Sequence, residues 1–276
     1  MTLAQYLAEL EQELVAAGEE AESLSFVYRA LNEISFTDFV LKLRIEVSQE
    51  EREQLKAIQK QLLAHKPAQY IIGSSDFHGL NLKVDERVLI PRPETEELVE
   101  LILSENLETP LSVLDIGTGS GAIALALANS RPDWQITASD LSSDALSLAA
   151  ENAQSCGLNL TFVQSDCLDA IQGKFDIIAS NPPYISEEDK DEVGLNVLAS
   201  EPHMALFAGE NGYAIYRKIA EQAGDYLTEK GKIYLEIGYK QGDAVRDLLK
   251  ESFPQKRIRV LKDQFGKDRM VAMDNG

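Results

Sequence analysis

The sequence predicts a doubly wound α/β domain that follows a small helical bundle. From Pro110 onwards, short apolar strands alternate with helical segments, which is typical of a parallel sheet covered on both faces. Residues 1–66 instead repeat apolar positions at helical spacing. A length of 276 residues, with 44% hydrophobic and 26% charged residues, fits two folded domains of ordinary globular composition.

The N-terminal region carries start signals for two helices. Thr2 with Gln5, and Ser48 with Glu51, match the capping-box pattern, in which each side chain bonds the backbone N–H of the other residue. The helical pattern stops before Pro67, which cannot continue it. The first helix predicted for this region begins after Thr2. Three further helices are predicted over residues 22–32, 37–44 and 48–65.

The connection to the α/β domain is predicted as a β-hairpin. Residues 77–90 alternate loosely between apolar and polar, with Gly79 near the turn, and Pro91 and Pro93 interrupt the stretch. A helical pattern resumes over 94–104. We therefore expect a helical bundle over residues 1–74, a β-hairpin linker over 75–92 and the α/β domain over 93–276.

Within the α/β domain, apolar runs bounded by turn residues predict the strands, and the longer periodic segments between them predict the helices. Two final strands, joined by a short polar turn, predict a terminal antiparallel pair. The predicted strands are 112–116, 135–139, 160–164, 175–180, 232–237, 257–261 and 269–273. The predicted helices are 121–129, 144–156, 212–227 and 241–251.

Composition limits the possible partners and locations. A formal charge of −20 argues against a primary nucleic-acid binder, because phosphate binding depends on clustered Lys and Arg. Cys156 and Cys167 match no metal or redox spacing, so we expect no metal and a reducing, cytoplasmic location. The N-terminus lacks the pattern of a signal peptide, and the most apolar stretch, 122–128, is too short to span a bilayer.

A glycine loop follows the first strand of the α/β domain. Gly117, Gly119 and Gly121 alternate there, and Thr118 and Ser120 lie between them. Glycine lets the backbone turn tightly and approach a ligand, and the following helix start offers unpaired N–H groups.

The spacing of this loop separates it from dinucleotide sites. Those sites use G-x-G-x-x-G to seat a pyrophosphate, whereas this loop, with Asp115 before it, reads D-x-G-x-G-x-G. It resembles the first motif of S-adenosylmethionine-dependent methyltransferases, in which Asp115 would support the loop and the ammonium end of the ligand. A strand–turn–helix whose glycines serve packing alone is the alternative.

Acidic residues end the next two predicted strands. Asp140, followed by Leu141, is placed where a carboxylate can accept hydrogen bonds from both ribose hydroxyls; the alternative is a helix N-cap. Asp166 and Cys167 follow the third strand. In the methyltransferase fold the equivalent acid often meets the adenine amino group, and ordinary turn chemistry is the alternative for Asp166.

The motif Asn181-Pro182-Pro183-Tyr184 directly follows a buried strand, at the carboxyl edge where such sheets bind ligands. It resembles the N-P-P-Y motif of methyltransferases that act on planar nitrogen. The lone pair of such a nitrogen is delocalised, so positioning and stabilisation of developing positive charge matter more than a strong base. The Asn181 side-chain oxygen and the Pro182 carbonyl can accept both N–H bonds of an –NH2 group, while Tyr184 offers a flat face. A proline-stiffened turn is the alternative.

Further segments resemble the release factor glutamine methyltransferases (the PrmC/HemK family), in the expected order along nearly the whole chain. This resemblance implies a Rossmann-like class I methyltransferase sheet with a terminal antiparallel hairpin, preceded by a helical bundle that helps recognise the release factor. The matching segments are Gln69–Gly73, Leu89–Glu96, Glu201-Pro202, Ala205-Leu206, Leu235–Gly238, Gln241 and Asp268-Arg269.

The resemblance also implies the reaction and its site. Methyl transfer from S-adenosylmethionine would give S-adenosylhomocysteine and N5-methylglutamine in the Gly-Gly-Gln motif of class I release factors. Asn181, Pro182 and Tyr184 would be catalytic. The residues implied for substrate binding are Asn181, Pro182, Pro183 and Tyr184; those implied for cofactor binding are Asp115, Gly117–Gly121, Asp140, Leu141, Asp166, Cys167 and Asn181.

The sequence departs from some members of this family at the adenine side. Those members carry an aromatic residue after the acid of the third strand, whereas Cys167 and Leu168 stand here. We therefore expect the adenine to pack on aliphatic surface. Arg92 and Glu94 match a family segment near the active site, where they contribute to the site or fix the domain junction.

Three other functions share parts of this pattern. A glutamine methyltransferase acting on a ribosomal protein carries the same motifs, but the helical N-terminus and the segment 91–96 favour a release factor. An adenine methyltransferase of DNA or RNA is disfavoured by the charge of −20. A non-catalytic binding protein is disfavoured by the complete N-P-P-Y motif and glycine loop. We expect a monomer with no membrane association.

Overall fold

The structure, a computed structural model, describes residues 1–106 and 110–276. The chain divides into two units. The helical unit comprises residues 1–74 and 193–201, and the α/β unit comprises residues 75–192 and 202–276. Within the described ranges, no helix is long and apolar enough to cross a membrane.

Most of the longer helices lie close to the segments predicted from periodicity. In chain order they are α1 (Leu3–Ala16), α2 (Glu22–Leu31), α3 (Phe36–Lys42), α4 (Gln49–Leu62), α5 (Ala68–Ile72), α6 (Pro93–Glu105), α7 (Ala122–Ser130), α8 (Ser143–Cys156), α9 (Leu195–Ser200), α10 (His203–Leu206), α11 (Gly209–Gly212), α12 (Ala214–Gln222) and α13 (Gly242–Ser252). The short helices α5, α9, α10 and α11 were not predicted. Short 3₁₀ helices occur at Glu187–Glu192 and Ala223–Asp225.

The strands are two in a hairpin and seven in the main sheet of the described residues. In chain order they are β1 (Ser74–Phe77), β2 (Leu80–Lys83), β3 (Ser112–Ile116), β4 (Gln135–Asp140), β5 (Thr161–Gln164), β6 (Phe175–Ser180), β7 (Leu227–Glu236), β8 (Arg257–Lys262) and β9 (Asp268–Asp274).

The helical unit forms around an apolar stripe on each helix. Leu3, Leu7, Leu10 and Leu14 of α1 are all buried in one cluster, as their spacing predicts. Both predicted capping boxes are present, at the starts of α1 and α4. Residues 193–201, which follow the N-P-P-Y motif in sequence, belong to this unit, where the Ser200 hydroxyl donates to the His65 carbonyl at 3.0 Å.

The hairpin is shorter than the sequence indicates. Its second strand ends at Lys83 rather than continuing towards Ile90. Asp85 stops it, because its carboxylate accepts hydrogen bonds from the backbone N–H of Arg87 at 3.1 Å and from the Arg87 guanidinium at 2.7 and 2.8 Å. Such a side-chain-to-backbone bond turns the chain out of extended geometry. The helix α5, before the hairpin, was not predicted.

The main sheet has the order β5-β4-β3-β6-β7-β9-β8. Strands β3 to β7 pair in parallel, and β9 is antiparallel to both β7 and β8. The predicted doubly wound fold and its terminal antiparallel pair are therefore confirmed. β7 begins five residues before the predicted strand.

Both faces of the sheet are covered. Val113 and Leu114 are neighbours on β3, yet each is buried in a different apolar cluster, because side chains alternate between the faces of a strand. Helix α7, buried from Ala122 to Ala128, contributes to the first cluster, and α12 contributes Tyr216 and Ile219 to the second. This two-sided burial leaves the carboxyl edge of the strands as the place for a site.

Candidate active site

The strand register brings the predicted motifs to one edge of the sheet. Ile116 at the end of β3 lies opposite Ser139 of β4 on one side and Ser180 of β6 on the other. The residues that follow these strand ends, among them Gly117, Asp140 and Asn181, therefore lie along the same edge. The Ser139 and Ser180 hydroxyls bond the backbone carbonyls of Asp115 and Ile116, at 3.1 and 2.7 Å, and tie the three strand ends together.

The glycine loop needs glycine at each of its alternating positions. Gly117, Gly119 and Gly121 have φ of +70°, +55° and +85°, a region that L side chains rarely adopt. A Cβ on Gly121 would also lie 3.0 Å from a Leu125 methyl carbon and 3.3 Å from the Ala149 Cβ. The loop is thus a backbone cradle held against α7 and α8.

Asp115 supports the glycine loop through its side chain. It is fully buried, and its carboxylate accepts a hydrogen bond of 2.6 Å from the Thr118 hydroxyl. Burial raises the pKa of Asp115 to about 7; the bond from Thr118 opposes this rise and the nearby Asp140 carboxylate adds to it. A cationic group close to this site would favour the ionised form.

Asp140 joins two loops of the site through its carboxylate. One oxygen accepts from the backbone N–H of Gly119 and the other from that of Ser142, both at 2.9 Å. Burial raises the pKa of Asp140, and these backbone bonds oppose the rise. Ser142, not Asp140, is the N-cap of α8, since its hydroxyl accepts from Ala145 N–H. The N-cap alternative for Asp140 is therefore wrong.

The turn after β5 has an unusual backbone. Cys167 is buried with φ of +55°, and burial raises the pKa of its thiol to about 12. Asp166 pairs with the Lys218 ammonium at 2.7 Å, where its carboxylate is half exposed. Asp166 and Cys167, in this turn of the backbone, both lie on the wall of a cavity in the α/β unit.

The N-P-P-Y loop is clamped by its backbone. The Tyr184 carbonyl accepts from the Gln241 side-chain amide at 3.0 Å, and the other end of that amide accepts from Gly238 N–H at 3.0 Å. Gly212 passes so close that a Cβ would lie 2.2 Å from the Tyr184 carbonyl oxygen. Burial raises the pKa of Tyr184 to about 12, and the Glu236 carboxylate contributes to the rise.

Asn181 is oriented by a buried hydrogen-bond chain. Its side-chain nitrogen donates to the Thr95 hydroxyl at 3.1 Å, and that hydroxyl donates to the Glu236 carboxylate at 2.7 Å. Thr95 and Glu236 are only 4% and 2% exposed. Burial raises the pKa of Glu236 to about 7, although the bond from Thr95 opposes the rise.

A single cavity of the α/β unit collects most of the predicted residues. Asp115, Gly121 and Tyr184 do not line it; the first two support the glycine loop and Tyr184 lies behind the N-P-P-Y backbone. The predicted residues on its wall are Gly117, Thr118, Gly119, Ser120, Asp140, Leu141, Asp166, Cys167, Asn181, Pro182 and Pro183.

Sequence reasoning assigned no role to several residues of the wall. Thr95 is one of them, although the motif that contains it was noted. The other unassigned wall residues include Arg87, Val88, Leu89, Pro91, Pro202, Met204, Ala205 and Ile215. Leu89, Pro91, Pro202 and Ala205 carried a signal only through family resemblance, and Arg87, Val88, Met204 and Ile215 carried none. Nothing in the local pattern of these residues indicates that they meet the glycine loop.

The wall offers chemistry that suits S-adenosylmethionine. Backbone of the glycine cradle suits the polar amino acid end, and the Asp140 carboxylate suits a ribose diol. The apolar surfaces of Leu141 and Cys167, next to Asp166, suit an adenine ring with an amino group. The residues present therefore fit this ligand, and the individual site assignments stay predictions.

Two family models match the chain. The PrmC N-terminal domain matches residues 5–73, and the methyltransferase small domain matches residues 98–206. Among curated proteins, the release factor glutamine methyltransferase of Streptococcus pneumoniae is 66% identical, with 100% of this chain and 99% of the relative covered. That of Lactococcus lactis is 52% identical, with 92% and 94% covered.

Solved methyltransferase structures share the fold over much of this chain. A methyltransferase from Pyrococcus furiosus superposes with a TM-score of 0.55 at 20% identity, covering 81% of this chain and 98% of its own. The ribosomal protein L11 methylase of Lactobacillus delbrueckii superposes with a TM-score of 0.50 at 25% identity, covering 66% and 79%. The likeness to the Pyrococcus furiosus structure concerns the fold alone.

Proposed function

The chain belongs to the release factor glutamine methyltransferases, and we propose that it methylates the side-chain nitrogen (N5) of the glutamine in the Gly-Gly-Gln motif of class I release factors, with S-adenosylmethionine as donor. Membership rests on relatives up to 66% identical over the whole chain. As a member of this family, the protein methylates a release factor glutamine. The tripeptide, the atom and the donor are the parts that we propose.

The donor would lie along the carboxyl edge of β3, β4 and β5. The glycine cradle would hold its amino acid end, Asp140 its ribose and the region of Asp166 and Cys167 its adenine. When bound, S-adenosylmethionine supplies an electrophilic methyl group on a sulfonium sulfur. The support for this assignment is the D-x-G-x-G-x-G loop, whose positive φ angles create the cradle, and its backbone bond to Asp140.

The glutamine would be held by the N-P-P-Y loop. The side-chain oxygen of Asn181 and the carbonyl of Pro182 would each accept one N–H bond of the substrate amide, which aims its nitrogen at the methyl group. The same two oxygens would stabilise the positive charge that develops on this nitrogen as it forms the new bond. Tyr184, which does not line the cavity, would support the loop instead of offering the flat face expected from the motif.

We further propose that residues 1–74 help to recognise the release factor, that residues 75–92 link this bundle to the methyltransferase domain over 93–276, and that the protein acts as a cytoplasmic monomer. The net charge of −20 suits a basic surface on the partner, because opposite charges speed association. Association rates measured at increasing salt should fall; a rate independent of salt would contradict this electrostatic contribution.

The observation that carries the proposal is the meeting of Asn181-Pro182 and the glycine loop on one cavity wall. The test incubates the protein with methyl-labelled S-adenosylmethionine and a purified release factor that carries either Gly-Gly-Gln or Gly-Gly-Ala. Label in the Gly-Gly-Gln protein only, and loss of that label with Asn181→Ala, would support substrate and site together.

Parallel reactions with ribosomal proteins and with DNA address the other substrates. Label there, without label on the release factor, would overturn the proposed substrate. Calorimetric titration with S-adenosylmethionine separates a failure of donor binding from a failure of substrate choice.

A further inference from the structure

Two segments that the sequence marked without a role meet at the N-P-P-Y loop. Thr95 lies in the first turn of α6, and Glu236 is the last residue of β7. Because Ser180 of β6 lies opposite Leu235 of β7, the residues that follow them, Asn181 and Glu236, lie near each other at the carboxyl edge of the sheet. Thr95 lies between their side chains and bonds to both.

The hydrogen-bond chain has a direction. The Thr95 hydroxyl donates to the Glu236 carboxyl group at 2.7 Å, and a hydroxyl has only one hydrogen to donate. The Thr95 oxygen is then left as an acceptor, and the –NH2 group of Asn181 is the group that donates to it at 3.1 Å. This fixes which way the Asn181 amide is turned: its nitrogen faces Thr95, and its oxygen is the atom kept for a ligand in the cavity.

An asparagine held only by packing could turn its amide by half a turn and present –NH2 to the substrate. The –NH2 group of Asn181 would then face the –NH2 group of the substrate, and both groups donate hydrogen bonds. The substrate amide could not be bound through its N–H groups. A buried hydroxyl and a buried carboxylate prevent this, because a reversed Asn181 would place its oxygen against the Thr95 oxygen. Breaking the chain would also leave a buried carboxylate without its partner.

We propose that Thr95, backed by Glu236, is a positioning residue that sets the orientation of the Asn181 amide and so makes its oxygen the acceptor for the glutamine side chain. This inference rests on the proposed function, since it concerns the same reaction. Thr95 acts through Asn181 and not on the transferred methyl group. The proposal gives a role to the segments Leu89–Glu96 and Leu235–Gly238, which contain Thr95 and Glu236.

The environment of Glu236 is consistent with this role. Arg269 and Arg92 act on it as positive charges and Glu94 as a negative one, and the Tyr216 hydroxyl donates to the Glu236 backbone carbonyl at 2.9 Å. The Arg269 guanidinium itself pairs with Asp263 at 3.3 Å. The arginines and the hydrogen bond from Thr95 favour the ionised form of Glu236, and they oppose the effect of burial only in part.

The test compares Thr95→Val, Thr95→Ser and Thr228→Val in steady-state methylation of a release factor. Valine keeps the shape of threonine and removes the hydroxyl, whereas serine keeps the hydroxyl. Thr228→Val is the matched control, because Thr228 also donates to a carboxylate, that of Asp176 at 3.0 Å, and lies at the start of β7, at the other end of the sheet.

We expect Thr95→Val to lower kcat by about 10- to 100-fold, because a misdirected reacting group costs about that much. The affinity for S-adenosylmethionine should fall by a smaller factor than kcat, since the glycine cradle is untouched and Asn181 is only one of the residues implied for cofactor binding. Thr95→Ser should restore most of kcat, and Thr228→Val should leave it unchanged. Equal kcat values for Thr95→Val and wild type, or equal losses for Thr95→Val and Thr95→Ser, would overturn the inference.

A second variant covers the case in which Thr95→Val is poorly folded. Thr95→Val/Glu236→Met removes the whole polar pair, so no buried carboxylate is left unpaired, and such replacements are often well tolerated. A folded double variant with low kcat supports the inference, and one with wild-type kcat overturns it.

An orientation readout separates this inference from the proposed function. In protein labelled with ¹⁵N-asparagine, the Asn181 side-chain N–H signals, assigned by their loss in Asn181→Ala, should exchange slowly with solvent in wild type and Thr95→Ser and rapidly in Thr95→Val. An inactive wild type with this exchange pattern would reject the proposed substrate while leaving the hydrogen-bond chain intact. An active wild type without the pattern would reject the chain alone.

Discussion

Gly212 lies so close to the N-P-P-Y loop that Gly212→Ala would perturb this loop directly. The new Cβ would lie 2.2 Å from the Tyr184 carbonyl oxygen and 2.9 Å from the Gln241 side-chain nitrogen. These two atoms form the hydrogen bond that clamps Tyr184. The substitution therefore pushes on the backbone of the motif without changing any residue in it.

The size of the effect follows from the geometry. A carbon and an oxygen need about 3.2 Å, so the backbone at Tyr184 must move by about 1 Å, and a displacement of that size at a reacting group costs up to about 100-fold in rate. Gly212 also has φ of +87°, which adds about 1–2 kcal/mol of strain for alanine. We expect kcat to fall by about 10- to 100-fold. S-adenosylmethionine affinity should be nearly unchanged, because the cradle follows β3.

The assay pairs release factor methylation and calorimetric donor binding with thermal unfolding. Gly173→Ala is the matched control, since Gly173 has φ of +96° and nothing lies within 4 Å of its added Cβ. It should lose stability from strain and keep its kcat. If Gly212→Ala kept the kcat of Gly173→Ala, or lost donor affinity in proportion to kcat, then the position of the Tyr184 backbone would not control the substrate side of the site.

Three further predictions concern the donor side. Asp140→Asn should weaken S-adenosylmethionine binding by at least about 10-fold in calorimetry, because an amide cannot accept from both loops and the ribose, whereas the exposed Asp144→Asn should not. Asp115 has a pKa of about 7 in the folded protein against 3.8 in the unfolded chain, so it binds its proton more tightly when folded; its contribution to stability is complete below about pH 4 and is lost as the pH rises through 7. The free energy of unfolding in urea should therefore be higher at pH 5 than at pH 8, and Asp115→Asn should reduce this difference by about 3 kcal/mol. An unchanged difference would refute this. Cys167, with its thiol pKa raised to about 12, should react with iodoacetamide more slowly than Cys156 at pH 8, as peptide mass spectrometry would show, and equal rates would contradict its burial.

Local sequence patterns predicted most helices and strands, because the interactions that start and end these elements join residues close together in sequence. The Thr2–Gln5 and Ser48–Glu51 pairs satisfy backbone groups within one turn, so their capping boxes could be predicted and are present. The strand 112–116 is buried on both faces and is followed by glycines, which distinguishes it from a half-exposed strand. The hairpin was predicted with the correct turn but too long a second strand, because the bonds between Asp85 and Arg87, rather than periodicity, end β2.

Residue types and spacing alone determined the doubly wound fold and the glycine loop, because backbone torsions are properties of the residues themselves; they also predict that Asn181 and Pro182 act as hydrogen-bond acceptors. Only the tertiary structure decided what orients those groups. Thr95 bonds to Asn181 across 86 positions of sequence and to Glu236 across 141. Such pairings leave no periodic signal, because they depend on strand order and on where a helix begins above the sheet.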